Sequence, residues 1–257
     1  MHIEVQRLEG DTVLDLSLQA GKGNVLTTEV LHELVAHLRA HRDRPHLRMV
    51  LLRGSGGQFS FGASVEEHRK DRAAAMLREF HAALRAVAAY DVPVVALVEG
   101  KCLGGAFELA LVCHTVLAAP NAAFACPEIK LGVLPPVLAA VGACRLGAAW
   151  TERLVLTGAE LPLLAAEATG FAVRLPAETP PLDAALAWYR THLAPLSAHS
   201  LRVAVRAVRE GTGMAAALGE PLDRAERLYL DRLLPSHDGN EGIEAFLGRR
   251  APHWRDA

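Results

Sequence analysis

The sequence predicts an α/β fold that ends in a helical segment, on three observations. Apolar runs with strand patterning are followed by glycine-bearing loops and helix-like stretches through the first two-thirds of the chain, an order of elements that favours an α/β plan. The last third carries amphipathic stretches and no strand pattern. Hydrophobic residues make up 51% of the 257 positions, enough to bury a sizeable core. The expected division is a core over residues 1–195 and a helical segment over 196–257.

Ile3, Val5 and the run Thr12 to Leu18 alternate with period two, which predicts two paired strands joined at Glu9-Gly10-Asp11. A turn follows at 21–24. Thr27 or Thr28 can cap a helix with Val30, Leu31, Leu34, Val35 and Leu38 on its apolar face. A buried strand is expected within 46–53, broken by Gly54-Ser-Gly-Gly57, and a polar helix over about 65 to 89. Val92 to Val98 is the next strand, 100–105 a second loop, 106–112 a short apolar helix and 115–118 a strand. The stretch from about 148 to 170 reads as helix with breaks at Gly158 and Pro162, and further helices are expected over 182–193, 197–210 and 219–234. No internal sequence repeat and no low-complexity linker is visible.

The net charge of -2, with no basic block, argues against duplex nucleic acid as a partner. The N-terminus shows no leader pattern, and no apolar run reaches about 20 residues, so a cytoplasmic protein without membrane contact is expected. Cys102, Cys113, Cys126 and Cys144 match neither a metal spacing nor a disulfide framework and read as buried thiols. His37 and His41 have helical spacing but lie in a charged stretch; they read as solvated, and no metal site is expected. Gly54-Ser-Gly-Gly57 lacks the last glycine of a dinucleotide fingerprint, its sixth position being Phe59.

Two glycine-bearing loops and two glutamates carry the candidate chemistry. Phe59-Ser-Phe-Gly-Ala-Ser64 follows one strand, and Gly100-Lys-Cys-Leu-Gly-Gly-Ala-Phe-Glu108 links another strand to a helix. Glycine lets backbone approach a ligand closely, and a helix start leaves N–H groups unpaired; two such groups aimed at one point form an oxyanion hole. Glu108 sits inside an apolar run and Glu128 in the turn Ala125-Cys-Pro-Glu-Ile-Lys130. Two poorly hydrated carboxylates can divide acid and base work, whereas the plainer reading of each is a salt bridge to Arg or Lys.

In combination these motifs resemble the crotonase superfamily. The family's loops read roughly Phe-x-x-Gly-Ala-Asp, Gly-x-x-x-Gly-Gly-x-x-Glu and Phe-x-x-Pro-Glu-x-x-x-Gly. They are matched by Phe59 to Ser64, by Gly100, Gly104, Gly105 and Glu108, and by Phe124, Pro127, Glu128 and Gly132. The segment Glu241 to Trp254 looks like the family's closing segment, so the likeness runs from about residue 3 to 254. The resemblance implies a crotonase-type β–β–α spiral core with a helical C-terminal trimerisation segment, assembled as a trimer or a dimer of trimers. It implies an acyl-CoA substrate with coenzyme A entering as part of it and no separate cofactor. The N–H groups of Ala63 and Gly105 would polarise the thioester carbonyl, and Glu108 and Glu128 would hold a water between them. Lys22, Asn24 and Val25 would lie along the adenine, with Phe61, Gly62, Gly104, Leu134, Pro135 and Pro136 around the substrate.

Within that superfamily, the string Phe59 to His68 and the tail Ser197 to Arg202 look like the cyclohexa-1,5-diene-1-carbonyl-CoA hydratases, which act in anaerobic benzoyl-CoA breakdown. Ser64 in place of the usual Asp agrees with this branch. The stretch 134–142 departs from the family: it is longer and lacks the usual Gly-x-Gly-Gly run. Its paired prolines predict a rigid apolar wall. The rival readings are a linear enoyl-CoA hydratase, an isomerase or a thioesterase of the same superfamily, and, from other classes, an RNA-binding protein or a non-catalytic scaffold.

Overall fold

A computed structural model describes all 257 residues. The alternating N-terminal residues form β1 (Ile3–Leu8) and β2 (Val13–Leu18), an antiparallel pair closed by Glu9, Gly10 and Asp11, all at positive φ. The helix α1 (Thr28–His41) starts at Thr27, whose hydroxyl accepts from the Val30 N–H, and buries Val30, Leu31, Leu34 and Leu38. Burying such side chains contributes about 1.5–3 kcal/mol each. Strand β3 (Met49–Gly54) lies parallel to β2.

The next stretch differs from the expected polar helix. A short 3-10 turn over Val65–His68 ends in extended backbone at Arg69, and the helix α2 (Ala73–Ala88) follows. Its Met76, Leu77, Phe80, His81, Leu84 and Val87 are buried. The helical spacing of these positions makes α2 amphipathic despite the Arg and Glu residues between them.

Strand β4 (Val94–Val98) pairs parallel with β3. The expected second loop holds β5 (Lys101–Leu103), followed by α3 (Gly105–Val112), β6 (Thr115–Ala118) and β7 (Ala123–Ala125). Beyond them come α4 (Pro136–Leu146), α5 (Ala148–Thr157), β8 (Glu160–Leu161), α6 (Leu163–Ala168) and β9 (Ala172–Arg174). The large sheet has the order β1-β2-β3-β4-β6-β9, and the small sheet the order β5-β7-β8. Parallel bridges Leu26–Ala63 and Ser60–Cys102 extend the small-sheet pairing into the loops after β2 and β3. Each repeat therefore runs from a large-sheet strand, through a small-sheet segment, into a helix. The repeat is one of backbone and leaves no sequence signature.

One face of the large sheet, with Val50, Leu52 and Val94, packs on the main core with α1, α2 and α3. The other, with Met49, Leu51 and Val95, is covered by α7 (Pro181–His192) through Leu186 and Tyr189. Burial on both faces accounts for the continuous apolar character of β3 and β4.

The tail comprises α8 (Ala198–Gly211), α9 (Met214–Ala217), α10 (Glu220–Leu228) and α11 (His237–Leu247), with a π-helical turn over Tyr229–Leu233 after α10. The helix α10 packs on α4, and α11 packs on the turns at 65–68 and 127–131. Two ties hold α10 to α2: His81 Nδ1 lies 2.5 Å from Glu226 Oε2, and Arg85 pairs with Asp223. No helix is long and apolar enough to cross a membrane. Two residue expectations are corrected. Cys144 is exposed on α4 while the other three thiols are buried. His37 and His41 are half-buried, because His41 Nδ1 bonds the His37 carbonyl at 2.8 Å and His37 Nε2 lies 3.6 Å from Glu33.

Candidate active site

Two successive repeats bring the two glycine-bearing loops side by side. The loop after β3 is threaded by three backbone bonds: Phe61 N–H to Gly23 O at 2.7 Å, Leu26 N–H to Gly62 O at 2.9 Å and Ser64 N–H to Leu26 O at 3.2 Å. The intervening Ala63 N–H meets no acceptor in the chain. Gly62 has φ +102, and a Cβ there would meet Leu103 O at 2.6 Å and Gly105 N at 3.3 Å. The Gly105 N–H, the first of α3, has no intrahelical acceptor. A Cβ on Gly105 would stand 3.2 Å from that of Ala63, so the two residues are neighbours. Two free N–H groups close together, one at a helix start, can stabilise negative charge on a carbonyl oxygen.

Glu108 lies one turn into α3 and is only 3% exposed. Its Oε1 accepts from the Val137 and Leu138 N–H groups at 2.8 and 2.9 Å, the unpaired donors at the start of α4. Pro136 occupies the first position of α4, where its missing N–H is no loss. The departure at 134–142 thus includes the seat of Glu108. Glu128 stands in the 3-10 turn Pro127–Leu131, and its Oε2 is buried without a hydrogen-bond partner. Neither glutamate pairs with an Arg or Lys, so the salt-bridge reading fails. Burial raises the Glu108 pKa to about 7, against the two N–H bonds that lower it. Burial, with the neighbouring Glu108 charge, raises that of Glu128 to about 8. Between those values the pair holds one carboxylate and one carboxylic acid.

Both glutamates line an enclosed cavity of about 20 Å³, together with Ala63, Gly105, Phe80, Leu134, Pro135 and Pro136. Outside it, a cleft of about 480 Å³ is lined by Phe61, Gly62, Gly104, Lys130, Phe246 and Arg250, among others, and also reaches Ala63, Gly105 and Glu128. A cleft of similar size between α2 and α8 touches neither donor nor glutamate. The sequence expectations thus fall into two groups. Ala63, Gly105, Glu108, Glu128, Phe61, Gly62, Gly104 and Leu134 to Pro136 come together around these cavities. Lys22, Asn24 and Val25 line neither. The Asn24 side chain is occupied in holding the loop after β3: Nδ2 donates to Ser55 O and Gln58 O at 3.0 Å and to Phe59 O at 3.3 Å. Phe107 is also away from the site, packed against Phe124 and Phe171 at 5.5 and 5.6 Å.

Sequence reasoning missed the contribution of the tail. Gly242, Ala245 and Phe246 of α11 form one wall of the cleft, and Tyr229 lines the enclosed cavity. Ser236, which caps α11 through the Gly239 N–H at 3.0 Å, was a readable helix start; Gly239 and Gly242 obscured it. His68, at the end of the Phe59 to His68 string, lines both cavities. Its Nδ1 donates to Ser64 O at 2.7 Å, which leaves Nε2 as an acceptor on a ring whose pKa burial lowers.

The profile described as "Enoyl-CoA hydratase/isomerase" matches residues 9–257. The chain belongs to that family. It is 39% identical over 250 residues to a cyclohexa-1,5-dienecarbonyl-CoA hydratase of Thauera aromatica, covering 97% of this chain and 95% of that protein. A 2,3-dehydroadipyl-CoA hydratase of Escherichia coli K12 is 30% identical, with 98% and 97% covered. Among solved structures, an enoyl-CoA hydratase from Mycobacterium avium subsp. paratuberculosis K-10 superposes with a TM-score of 0.84 at 28% identity, over 100% of this chain and 99% of that one. The fold is therefore the crotonase fold, and the chain is an enoyl-CoA hydratase-type hydro-lyase acting on an acyl-CoA.

Proposed function

We propose that this family member adds water to a ring dienoyl thioester, cyclohexa-1,5-diene-1-carbonyl-CoA, as a step in anaerobic benzoyl-CoA breakdown. The observation that carries the reading is the shape of the acyl end. Leu134, Pro135 and Pro136 close it with rigid apolar surface, and the space beyond the donors is only about 20 Å³. A rigid apolar wall at that end suits a flat six-membered ring, whereas a flexible chain gains less from it. The 39% identity to the Thauera aromatica hydratase, against 30% to the dehydroadipyl-CoA enzyme, supports the same choice.

In this reading the thioester oxygen takes hydrogen bonds from the Ala63 and Gly105 N–H groups, which draws electron density from the conjugated double bond. The ionised glutamate removes a proton from the water as its oxygen bonds to the electron-poor carbon. The charge moves onto the thioester oxygen, held by the two N–H groups and the start of α3. The protonated glutamate then delivers its proton to the ring, so water is added across the unsaturated system and the pair again holds one proton. The pantetheine arm runs out through the cleft past Phe61 and Phe246, with the turn at Lys22, Asn24 and Val25 toward the adenine. Val203, Val208 and Leu228, exposed on the tail, support assembly as a trimer or pair of trimers, which light scattering reads directly.

The test is kcat/KM for cyclohexa-1,5-diene-1-carbonyl-CoA and for crotonyl-CoA under the same conditions. The ring substrate is expected to win. A linear substrate better by tenfold, about 1.4 kcal/mol of transition-state preference, removes the ring assignment and leaves the hydratase class standing.

A further inference from the structure

Tyr229 is a fully buried polar side chain of the small cavity, and the reading above does not use it. Its side chain is 1% exposed, its hydroxyl meets no hydrogen-bond partner, and it lines the same cavity as Glu108 and Glu128. The unpartnered Oε2 of Glu128 faces the same problem. A buried hydroxyl without a partner costs about 1–3 kcal/mol, and a phenylalanine would fill the same volume without that cost. Both atoms are satisfied if a single water lies between them. The volume of about 20 Å³ accommodates one water, and the lining offers it the polar partners it needs.

The position of Tyr229 is built rather than incidental. It opens the π-helical turn Tyr229–Leu233, whose closing bond runs from the Leu234 N–H to the Tyr229 carbonyl at 2.9 Å. A single π turn inside a helix is a feature often found at functional sites. The preceding α10 is clamped to α2 by Glu226 on His81 and Asp223 on Arg85, and Arg85 Nε also bonds Leu218 O at 2.9 Å. The phenol pKa is raised by burial and by the Glu128 charge, so the group stays protonated and available as a donor.

We propose that Tyr229 is a positioning residue for the hydration step: its O–H donates to the water held at Glu128 and fixes the orientation of that water. One lone pair of the water accepts from Tyr229, one hydrogen points to Glu128 Oε2 and the other to the ionised carboxylate of the pair, and the second lone pair is left to attack the electron-poor carbon of the conjugated system. The phenol gives up no proton in the step, and the water proton passes to the carboxylate as before. The role rests on the hydratase reading, but its structural half, the shared water, does not.

Tyr229→Phe keeps the packing and removes the donor. Hydration kcat should fall about 10- to 100-fold with KM within about twofold, and the melting temperature should not fall. Deuterium exchange at the α carbon of butyryl-CoA in D2O uses the oxyanion donors and a carboxylate but adds no water, so it should persist in the variant. A hydration kcat within twofold of the parent overturns the proposal, and so does a parallel loss of hydration and exchange, which marks a merely structural role. High-resolution crystals of the substrate-free protein should show one water within hydrogen-bond distance of Tyr229 Oη and Glu128 Oε2, displaced in Tyr229→Phe. A water that touches Glu128 alone, or a dry cavity, also overturns it. If the parent protein hydrates no acyl-CoA while the shared water is present, the functional reading has failed and not the placement of Tyr229.

Discussion

A Cβ on Gly104 would stand 2.6 Å from Oε1 of Glu128, and Gly104 itself has φ +52. The backbone that delivers the free Gly105 N–H therefore also sets the clearance of the carboxylate beside it. Gly104→Ala is expected to push Glu128 out of line and to strain the loop, lowering kcat by at least about 100-fold and stability by about 1–3 kcal/mol. Steady-state kinetics with thermal unfolding of the same preparation checks both.

Glu108→Gln and Glu128→Gln are each expected to lower kcat by about 10²–10⁴-fold, since each removes one member of an acid–base pair. Gln at 108 keeps an oxygen for the Val137 and Leu138 N–H groups, so the fold should hold. Glu108→Ala leaves those two donors of α4 unpaired and should unfold at a lower temperature than Glu108→Gln. Circular dichroism melts of the two variants compare them directly.

The raised pKa values give a signed pH dependence. In the unfolded chain each carboxyl loses its proton near 4.5; in the folded protein the values are about 7 for Glu108 and about 8 for Glu128. Between those limits the folded state binds more protons than the unfolded one, so this contribution to stability is full below about pH 4.5 and falls as pH rises through 7 and 8. Melting temperatures measured across that range should show the decline, and Glu128→Gln should flatten it. Turnover should fall on both sides of the interval in which the pair holds a single proton.

Asn24→Ala should destabilise the protein by about 2–3 kcal/mol, because three carbonyls of the loop after β3 lose their shared donor. The loss should be visible in denaturant unfolding. It should raise KM less than it lowers stability, since the side chain lines neither cavity.

The pairing of β1 with β2, the Thr27 cap of α1 and the strand–loop–helix order were legible because each depends on residues close in sequence. The three glycine–glutamate motifs were legible for a similar reason. A positive φ, a close backbone approach and a carboxylate in an apolar run each leave a local mark. The amphipathic face of α2 was also present in the sequence, but alanines diluted it, and only burial of Phe80 and His81 brought it out.

Other features were decided by the tertiary structure alone. That Ala63 and Gly105, each with a free N–H, lie side by side follows from the small-sheet pairing of segments about forty residues apart, which no local pattern encodes. That Glu108 is seated on the first turn of α4 depends on packing between two helices. That Asn24 braces a loop rather than facing the cleft depends on where residues 55–59 return to it. The placement of Tyr229 in the cavity depends on the clamp between α10 and α2, two segments well over a hundred residues apart. Sequence records what each residue can do within its own turn or strand. Long-range contacts decide which of those capacities meet, because burial and hydrogen-bond satisfaction are settled by neighbours distant in the chain.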